Sequence, residues 1–568
     1  MEFTDAYKQT GSCCFSPNAR YLAVAVDYRL VIRDVVSLKV IQLYSCVDKI
    51  SYIEWAVDSE YILCGLHKRP VVQAWSLTQP EWTCKIDEGP AGIAYARWSP
   101  DSRHILTTSE FQVRLTVWSL LNTACVHVQW PKHASKGVSF TQDGKFAAVC
   151  TRRDCKDYIN LLSCHTWEIM GTFAVDTIDL AGIEWSPDDS SIVIWDSLLE
   201  YKVLIYSPDG RCLFKYQAYE NGLGVKTVAW SPCGQFLAVG SFDQILRTLN
   251  HLTWKTFAEF THVTTIRSPC NAVVFKEVDE PLQLDMSELY LSDNFPHNIQ
   301  GNCPGSIWDL VLVSHSQWGI MVFASGVKEF CHGLGLDHRC HLTLMLPLCY
   351  CYRSLVDTLC ITMARIANLT KVEIAQFGTG LMLLPNISIT TPYCCHLSAT
   401  ALVPESAAEG NTRVKYKVMD FPVSLPFQKP APDKPNPKQG IGLLSWSNDS
   451  QYVFTRNDNM PTILWIWDIR RLELATVLVQ KDPIRTAAWD PTCPRLVLCT
   501  GSSQLYMWSP SGACCVNIPL SNFVVCDMKW NSDGSCLLLK DRESFCCSAV
   551  VSVLPETSEG SSDGEDVY

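Results

Sequence analysis

One short pattern governs what this chain can fold into. At Val228–Ser241 it reads as an apolar run ending in Trp230, then Ser231-Pro232-Cys233-Gly234, then a second apolar run closed by small residues. That is a strand, a tight turn and a strand. The same arrangement is anchored by Phe15, Trp55, Trp98, Phe140, Trp185, Trp230, Trp446, Trp489 and Trp530, each followed by Ser-Pro-Asp or a relative of it. Successive anchors lie 40, 43, 42, 45 and 45 residues apart, then 216, then 43 and 41.

A period in the low forties is that of a four-stranded β-propeller blade of the WD-repeat kind. The second half of each unit agrees, because Val71–Ser76, Leu115–Ser119, Leu464–Asp468 and Tyr506–Ser509 are alternating runs that end on an aromatic. Trp467-Asp468 is a literal Trp-Asp pair, and Asp243 stands where such repeats carry the aspartate that ties a loop to the neighbouring blade. Gly-His pairs are missing, so the repeats are divergent. One such sheet has two apolar faces and cannot cover them alone; stacked radially, neighbours cover one another. The anchors are therefore expected to fill the layers between blades.

The predicted fold is all-β: a WD-repeat β-propeller of about nine blades in one large ring, with a seven-bladed ring plus a partial second as the alternative. Residues 1–278 supply six blades and the start of a degenerate one, assembled from Asn271–Val278 and Val414–Val423. Residues 279–413 interrupt the repeat and are expected to be a mostly looped or disordered insertion. Residues 414–554 supply the remaining blades, and 555–568 form an acidic, disordered tail in which Ser561 and Ser562 precede Asp563-Gly564-Glu565-Asp566.

Composition narrows function by exclusion. A net charge of −12 argues against a general nucleic-acid binder, whose affinity comes from cations set against phosphate. The first residues lack an apolar core, so no signal peptide is expected. The 28 cysteines are then read as reduced and packing as small hydrophobes, as at Cys64, Cys150 and Cys499. No C-x-x-C pair occurs, and Cys331, His332, His338, Cys340 and His341 match no zinc-finger spacing. The uncharged run His341–Tyr352 is too short to span a bilayer. No phosphate loop, nucleophile elbow or H-E-x-x-H occurs, so no enzyme and no cofactor is expected.

The remaining candidates are charged, aromatic-bearing stretches at blade edges. They are Trp82 in Gln79–Gly89; Arg152, Arg153, Lys156 and Tyr158; Glu200 and Tyr201; and Arg456 in Arg456–Pro461. Trp, Tyr and Arg are common interface anchors. These residues are the expected partner-binding positions.

These stretches, with Asp27–Val35 and Asn436–Gly442, resemble a family of WD-repeat proteins of centrosomes and spindle poles. The resemblance covers about Met1–Val278 and Val414–Leu554; residues from about Pro281 to Gly410 depart from it. It implies a non-enzymatic scaffold in the cytoplasm and cytoskeleton, at centrosomes, centriolar satellites and spindle poles. Its partner would be a coiled-coil centrosomal protein of the synovial-sarcoma-X-breakpoint-interacting type, and its work microtubule anchoring, spindle assembly and cilium formation. No nucleic acid and no membrane insertion are implied. The alternative is a propeller scaffold doing RNA-linked or translational work, which needs a basic face built from residues such as Arg152, Arg153, Lys156 and Arg456.

Overall fold

Each copy of the repeat folds as its alternation dictates, into four antiparallel strands. In the computed structural model, which describes residues 1–66, 69–267, 272–281, 311–315, 318–322, 412–430 and 437–549, nine such sheets follow one another. Their first strands are Cys13–Phe15, Ile50–Trp55, Tyr95–Trp98, Val138–Phe140, Leu180–Trp185, Val225–Trp230, Ile441–Trp446, Thr486–Trp489 and Asp527–Trp530, and we number blades 1 to 9 in that order. Every anchor aromatic thus closes the first strand of its blade. First strands of successive blades approach one another, whereas fourth strands such as Val40–Ser45 leave alternate residues exposed. The first strands therefore face the middle of the ring and the fourth its rim.

The turn after each anchor has a local cause. The Ser16, Ser99, Thr141, Ser231 and Ser447 hydroxyls each accept the backbone N–H five residues on, and Thr141 and Ser447 also donate to Asp143 and Asp449. The fourth residue of the turn takes a left-handed backbone: Gly144 and Gly234 do so at φ +69° and +72°, but Ala19, Ser59 and Ser102 are also there.

The ring closes on itself. Glu2 and Phe3 pair with Ala549 and Ser548, giving blade 9 its outer strand, and Ser532 donates to the Pro17 carbonyl of blade 1 at 2.9 Å. Leu22 and Val24 of blade 1 share a core with Leu538 and Phe545 of blade 9. The single nine-bladed ring is therefore the fold. The two runs expected to start a degenerate blade stand elsewhere: Val273–Pro281 adds in parallel to Glu473–Val479, the outer strand of blade 7, and Thr412–Val418 pairs beyond it.

Contacts divide the chain into two units, 1–280 with 394–568, and 281–393. In the second, Val311–His315 and Trp318–Val322 form an antiparallel hairpin. Otherwise the expectations for the insertion, its Cys and His residues and the acidic tail lie outside the described residues. Among the described residues no helix is long and apolar enough to cross a membrane.

Buried side chains gather between blades. Ile32 and Ala23 of blade 1 meet Trp55 and Ile62 of blade 2, and Ala148 and Ile159 of blade 4 meet Trp185 and Ile194 of blade 5. The anchors fill these layers as expected. They also do something the repeat did not announce. Trp55 donates its indole N–H to the Cys14 carbonyl at 3.2 Å, Trp98 to Glu54 at 3.1 Å, Trp446 to Ala229 at 3.1 Å, Trp489 to Ser445 at 3.1 Å and Trp530 to Ala488 at 3.3 Å. Each acceptor is the residue just before the anchor of the preceding blade. Phe15 and Phe140 have no N–H to give, and the indole N–H groups of Trp185 and Trp230 are buried without a partner.

The buried cysteines among the described residues pack as small hydrophobes, whereas Cys125, Cys155, Cys212 and Cys233 are exposed. Cys64, Cys150 and Cys499 are fully buried, and the described cysteines are free thiols. Burial pushes the Cys13 and Cys546 thiols up to about 12, which keeps them protonated.

Two predictions follow from these strands. Trp489→Phe and Trp230→Phe both trim a ring, but only the first removes a hydrogen bond, that of the indole N–H to the Ser445 carbonyl. Urea unfolding should place Trp489→Phe about 1 kcal/mol below Trp230→Phe; equal losses would remove the N–H bond from the account. Second, burial raises the Glu184 carboxyl from 4.5 to about 7. Between those values the folded state holds a proton that the unfolded chain has released, so stability falls as pH rises through that window. Glu184→Gln should flatten that part of the stability profile, and an unchanged slope would rule Glu184 out as its source.

Candidate partner-binding surface

Antiparallel order sorts the loops onto two faces. The Ser-Pro turns and the loops from third to fourth strand lie on one; the loops from second to third strand, and from a fourth strand to the next blade, lie on the other. Trp82, just before the outer strand Thr83–Asp87, is on the Ser-Pro face. Arg152, Arg153, Lys156, Tyr158, Glu200, Tyr201 and Arg456 all belong to second-to-third strand connections, on the opposite face. They are spread over blades 4, 5 and 7, so one site cannot contain them all.

Their environments separate them further. Trp82 is half-buried and packs edge-on against Tyr61, with centroids 5.1 Å apart. Tyr201, expected at a partner edge, is 1% exposed. It packs against Tyr219, with Arg247 over its ring at 5.5 Å, and burial pushes its hydroxyl well above the usual tyrosine range. Tyr201 is thus a core residue, and the reason lies in Gly224. A Cβ there would stand 1.9 Å from the Glu200 carbonyl, so the 197–202 loop closes down on that glycine and carries Tyr201 inward. Glu200 remains at the surface, 3.1 Å from Lys202. Arg456 is half-buried, donating to the Ile484 carbonyl at 2.6 Å and to Asp458 at 3.0 Å. Tyr158 is half-buried within its strand.

Blade 4 holds the group that does come together. Asp154 and Cys155, at φ +47° and +60°, make a two-residue turn between Phe146–Arg153 and Lys156–Ser163. Below the turn Asp157 is buried; its carboxylate accepts from Lys132 at 2.9 and 3.0 Å, from the Thr177 hydroxyl at 2.9 Å and from the Leu180 N–H at 2.8 Å. Lys132 also reaches Asp179 at 2.7 Å, and Arg152 meets the same Asp179 at 2.6 Å. The Lys132 ammonium and the Arg152 guanidinium hold the Asp179 carboxyl below the usual range. Asp196 of blade 5 accepts the N–H groups of Ile178 and Asp179, both at 2.8 Å. Arg152 is therefore framework, whereas Arg153 and Lys156 are exposed with no ion pair among the described residues. A basic face built from Arg152, Arg153, Lys156 and Arg456 is not assembled, because two of the four are committed to carboxylates on different blades.

Two polar relays were invisible in the pattern. In blade 3, Trp118 donates to the Thr107 hydroxyl at 2.9 Å and Thr107 to buried Glu88 at 2.6 Å, while Arg114 meets Glu88 at 2.7 Å. Burial would raise Glu88, but the Thr107 and Arg114 bonds outweigh it and hold the carboxyl below its ordinary value. In blade 7, Trp467 donates to Thr455 at 2.8 Å, Thr455 to His262 Nε2 at 2.7 Å, and His262 Nδ1 to the Gln244 carbonyl at 2.7 Å. Burial takes His262 down to about 4, so it is neutral. Asp243 does not bridge blades: it accepts the Ser241 hydroxyl and meets Arg247 at 2.7 Å within its own blade. The next residue makes the tie, Gln244 accepting from Asn457 of blade 7 at 2.9 Å.

Loop aromatics off the repeat period were also missed. Phe111 stands in Ser109-Glu110-Phe111-Gln112 and Trp130 directly before Pro131, both on the same face as Arg153. An apolar residue inside a polar connection is the signal that would have found them. Among the described residues no cluster of His, Cys, Asp and Glu is placed to hold a metal ion.

The WD domain, G-beta repeat family matches residues 210–248, which run from the outer strand of blade 5 to the third strand of blade 6. The chain is 39% identical over 549 residues to the mouse WD repeat-containing protein WRAP73, covering 96% of this chain and 95% of that protein. It is 31% identical over 182 residues to an uncharacterized WD repeat-containing protein of Schizosaccharomyces pombe, covering 31% of this chain and 36% of that one. Among solved structures, the β-propeller domain of Myceliophthora thermophila Cps50 (Swd1) matches at 15% identity with a TM-score of 0.33, over 46% of this chain and 89% of that domain.

The framework and the surface should respond differently to substitution. Asp157→Ala leaves the almost completely buried Lys132 ammonium with Asp179 alone and the Thr177 hydroxyl and Leu180 N–H without their acceptor, and should cost about 3 kcal/mol of stability. Arg153→Ala, at the exposed turn, should leave stability within about 0.5 kcal/mol of the parent. Urea midpoints of the two variants decide this; a mild Asp157→Ala would mean that the network is ornamental.

Proposed function

The chain belongs to the WD-repeat family that includes mouse WRAP73, and from that we propose that it is a non-enzymatic scaffold of centrosomes, centriolar satellites and spindle poles. In this reading it holds a coiled-coil centrosomal protein of the synovial-sarcoma-X-breakpoint-interacting type, and through it anchors microtubules during spindle assembly and cilium formation. The observation that carries the reading is the near full-length match at 39% identity, which runs through all nine blades rather than through one repeat. The closed ring supports it. Its strands are committed to one another, and its loops are free to hold partners.

The test is imaging and proximity labelling of the tagged full-length chain in dividing cells. Enrichment at spindle poles and labelling of coiled-coil centrosomal proteins are the expected results. A diffuse signal through mitosis, with no centrosomal protein among the labelled set, would sink the proposal. Deleting 281–393, the second unit of the chain, is expected to leave pole localisation in place, because the recognisable family stretches all lie in the ring.

A further inference from the structure

We propose that the loops of blades 3 to 5 form a docking surface for an acidic peptide segment that carries a bulky apolar side chain. This rests on the scaffold reading and gives it a place and a chemistry. Phe111 is 88% exposed and Trp130 49%, and Ile178 and Leu199 are exposed by 51% and 64% on the neighbouring loops of the same face. Hydrogen bonds join the loops of the first three into one surface. The Trp130 N–H donates to the Val113 carbonyl at 3.0 Å, the Arg152 N–H to the Trp130 carbonyl at 3.0 Å, and the Arg152 guanidinium to the Ile178 carbonyl at 3.3 Å.

The aromatics are held rather than loosely displayed. Phe111 and Trp130 both take left-handed backbones, at φ +60° and +59°, where large side chains are rarely found. Such conformations persist only where the surroundings over-determine them. The surroundings are present: Arg114 on buried Glu88 fixes the base of the Phe111 loop. Thr108 donates to the Ala134 carbonyl at 3.0 Å, and Lys132 on Asp157 ties down the segment after Trp130. Ordering entropy has largely been spent before a partner arrives.

Charge selects the partner. In a chain of net charge −12, Lys136, Arg153 and Lys156 stand on this face, exposed and without an ion pair among the described residues, with the carboxylates of Glu110 and Asp154 on the same loops. These cations complement carboxylates, while Phe111 and Trp130 complement an apolar side chain between them. Nucleic acid is the weaker match, since three free cations give little counterion release and the aliphatic Ile178 and Leu199 have no role against phosphate.

The test is selection of random peptides displayed on phage against the full-length chain, followed by affinity measurement with the selected peptides. Selected sequences should set Leu, Ile, Phe or Trp beside two or more Asp or Glu. Their affinity should fall about tenfold or more on Phe111→Ala with Trp130→Ala, and separately on Arg153→Glu with Lys156→Glu. Leu252→Ala, exposed on the other face, should change nothing. The two variants alter exposed side chains by different chemistry, so neither result turns on folding. Absence of any peptide weakened by both variants would overturn the proposal. So would basic selected peptides, or a single-stranded RNA oligonucleotide whose binding is lost on Arg153→Glu with Lys156→Glu and kept on Phe111→Ala with Trp130→Ala. Peptides that bind elsewhere on the ring would overturn this surface and leave the scaffold standing; loss of pole localisation in the parent chain would do the reverse.

Discussion

A four-stranded blade has two apolar faces and no means of covering either, so everything else in this molecule depends on each blade finding a neighbour on both sides. That condition cannot be met by an open row, whose end blades would keep one face wet. Closure meets it. The first residues of the chain lend blade 9 its outer strand, and blades 9 and 1 share a core through Phe545 and Leu22. A chain that must close in this way tolerates divergence within blades far better than loss of one, because the apolar layer between neighbours is shared property.

Apolar layers are slippery without polar fixtures, and the fixtures change around the ring. Between blades 1 and 2, 2 and 3, and from 6 through 9, a tryptophan N–H reaches back to the preceding first strand. Between blades 3 and 6 this device lapses, at Phe140, Trp185 and Trp230. There the opposite face supplies another. Lys132, Asp157, Arg152, Asp179 and Asp196 join the loops of blades 3, 4 and 5 through charges of which only Asp179 is exposed. Unlike a backbone bond near the axis, this network fixes loops, and the loops it fixes are the ones that display Trp130 and Ile178.

The blades were legible because their signal is periodic and apolar. Nine anchors were read from the sequence, and nine anchors close nine first strands. Where the repeat pattern stopped, so did the reading. Val273–Pro281 and Thr412–Val418 looked like the halves of a blade, but strand character does not say which edge a strand will join, and blade 7 offered a free one. The site was less legible still. Arg152, Arg153, Tyr201 and Arg456 look alike as charged or aromatic loop residues, yet burial divides them. Tyr201 went to the core because distant Gly224 left room, and Arg152 to a framework because Asp179 lies across the blade boundary. Such outcomes depend on contacts between residues far apart in the chain, which no local pattern encodes.

The two polar relays show how divergence can turn a framework position toward a surface role. Blades 3 and 7 keep the same Thr and Trp on their second and third strands, but the third member is His262 in one and Glu88 in the other. A buried histidine can stay neutral, satisfied by one carbonyl and one hydroxyl, and asks for nothing more. A buried carboxylate held ionised requires a cation, because an unpaired charge in that place would cost several kcal/mol. Arg114 is that cation, and it sits at the first residue of its strand, where the 109–113 loop re-enters the blade. Exchanging histidine for glutamate at this station therefore brings an arginine to the root of the Phe111 loop, so that the anchor of that loop comes from core electrostatics rather than from the loop's own sequence.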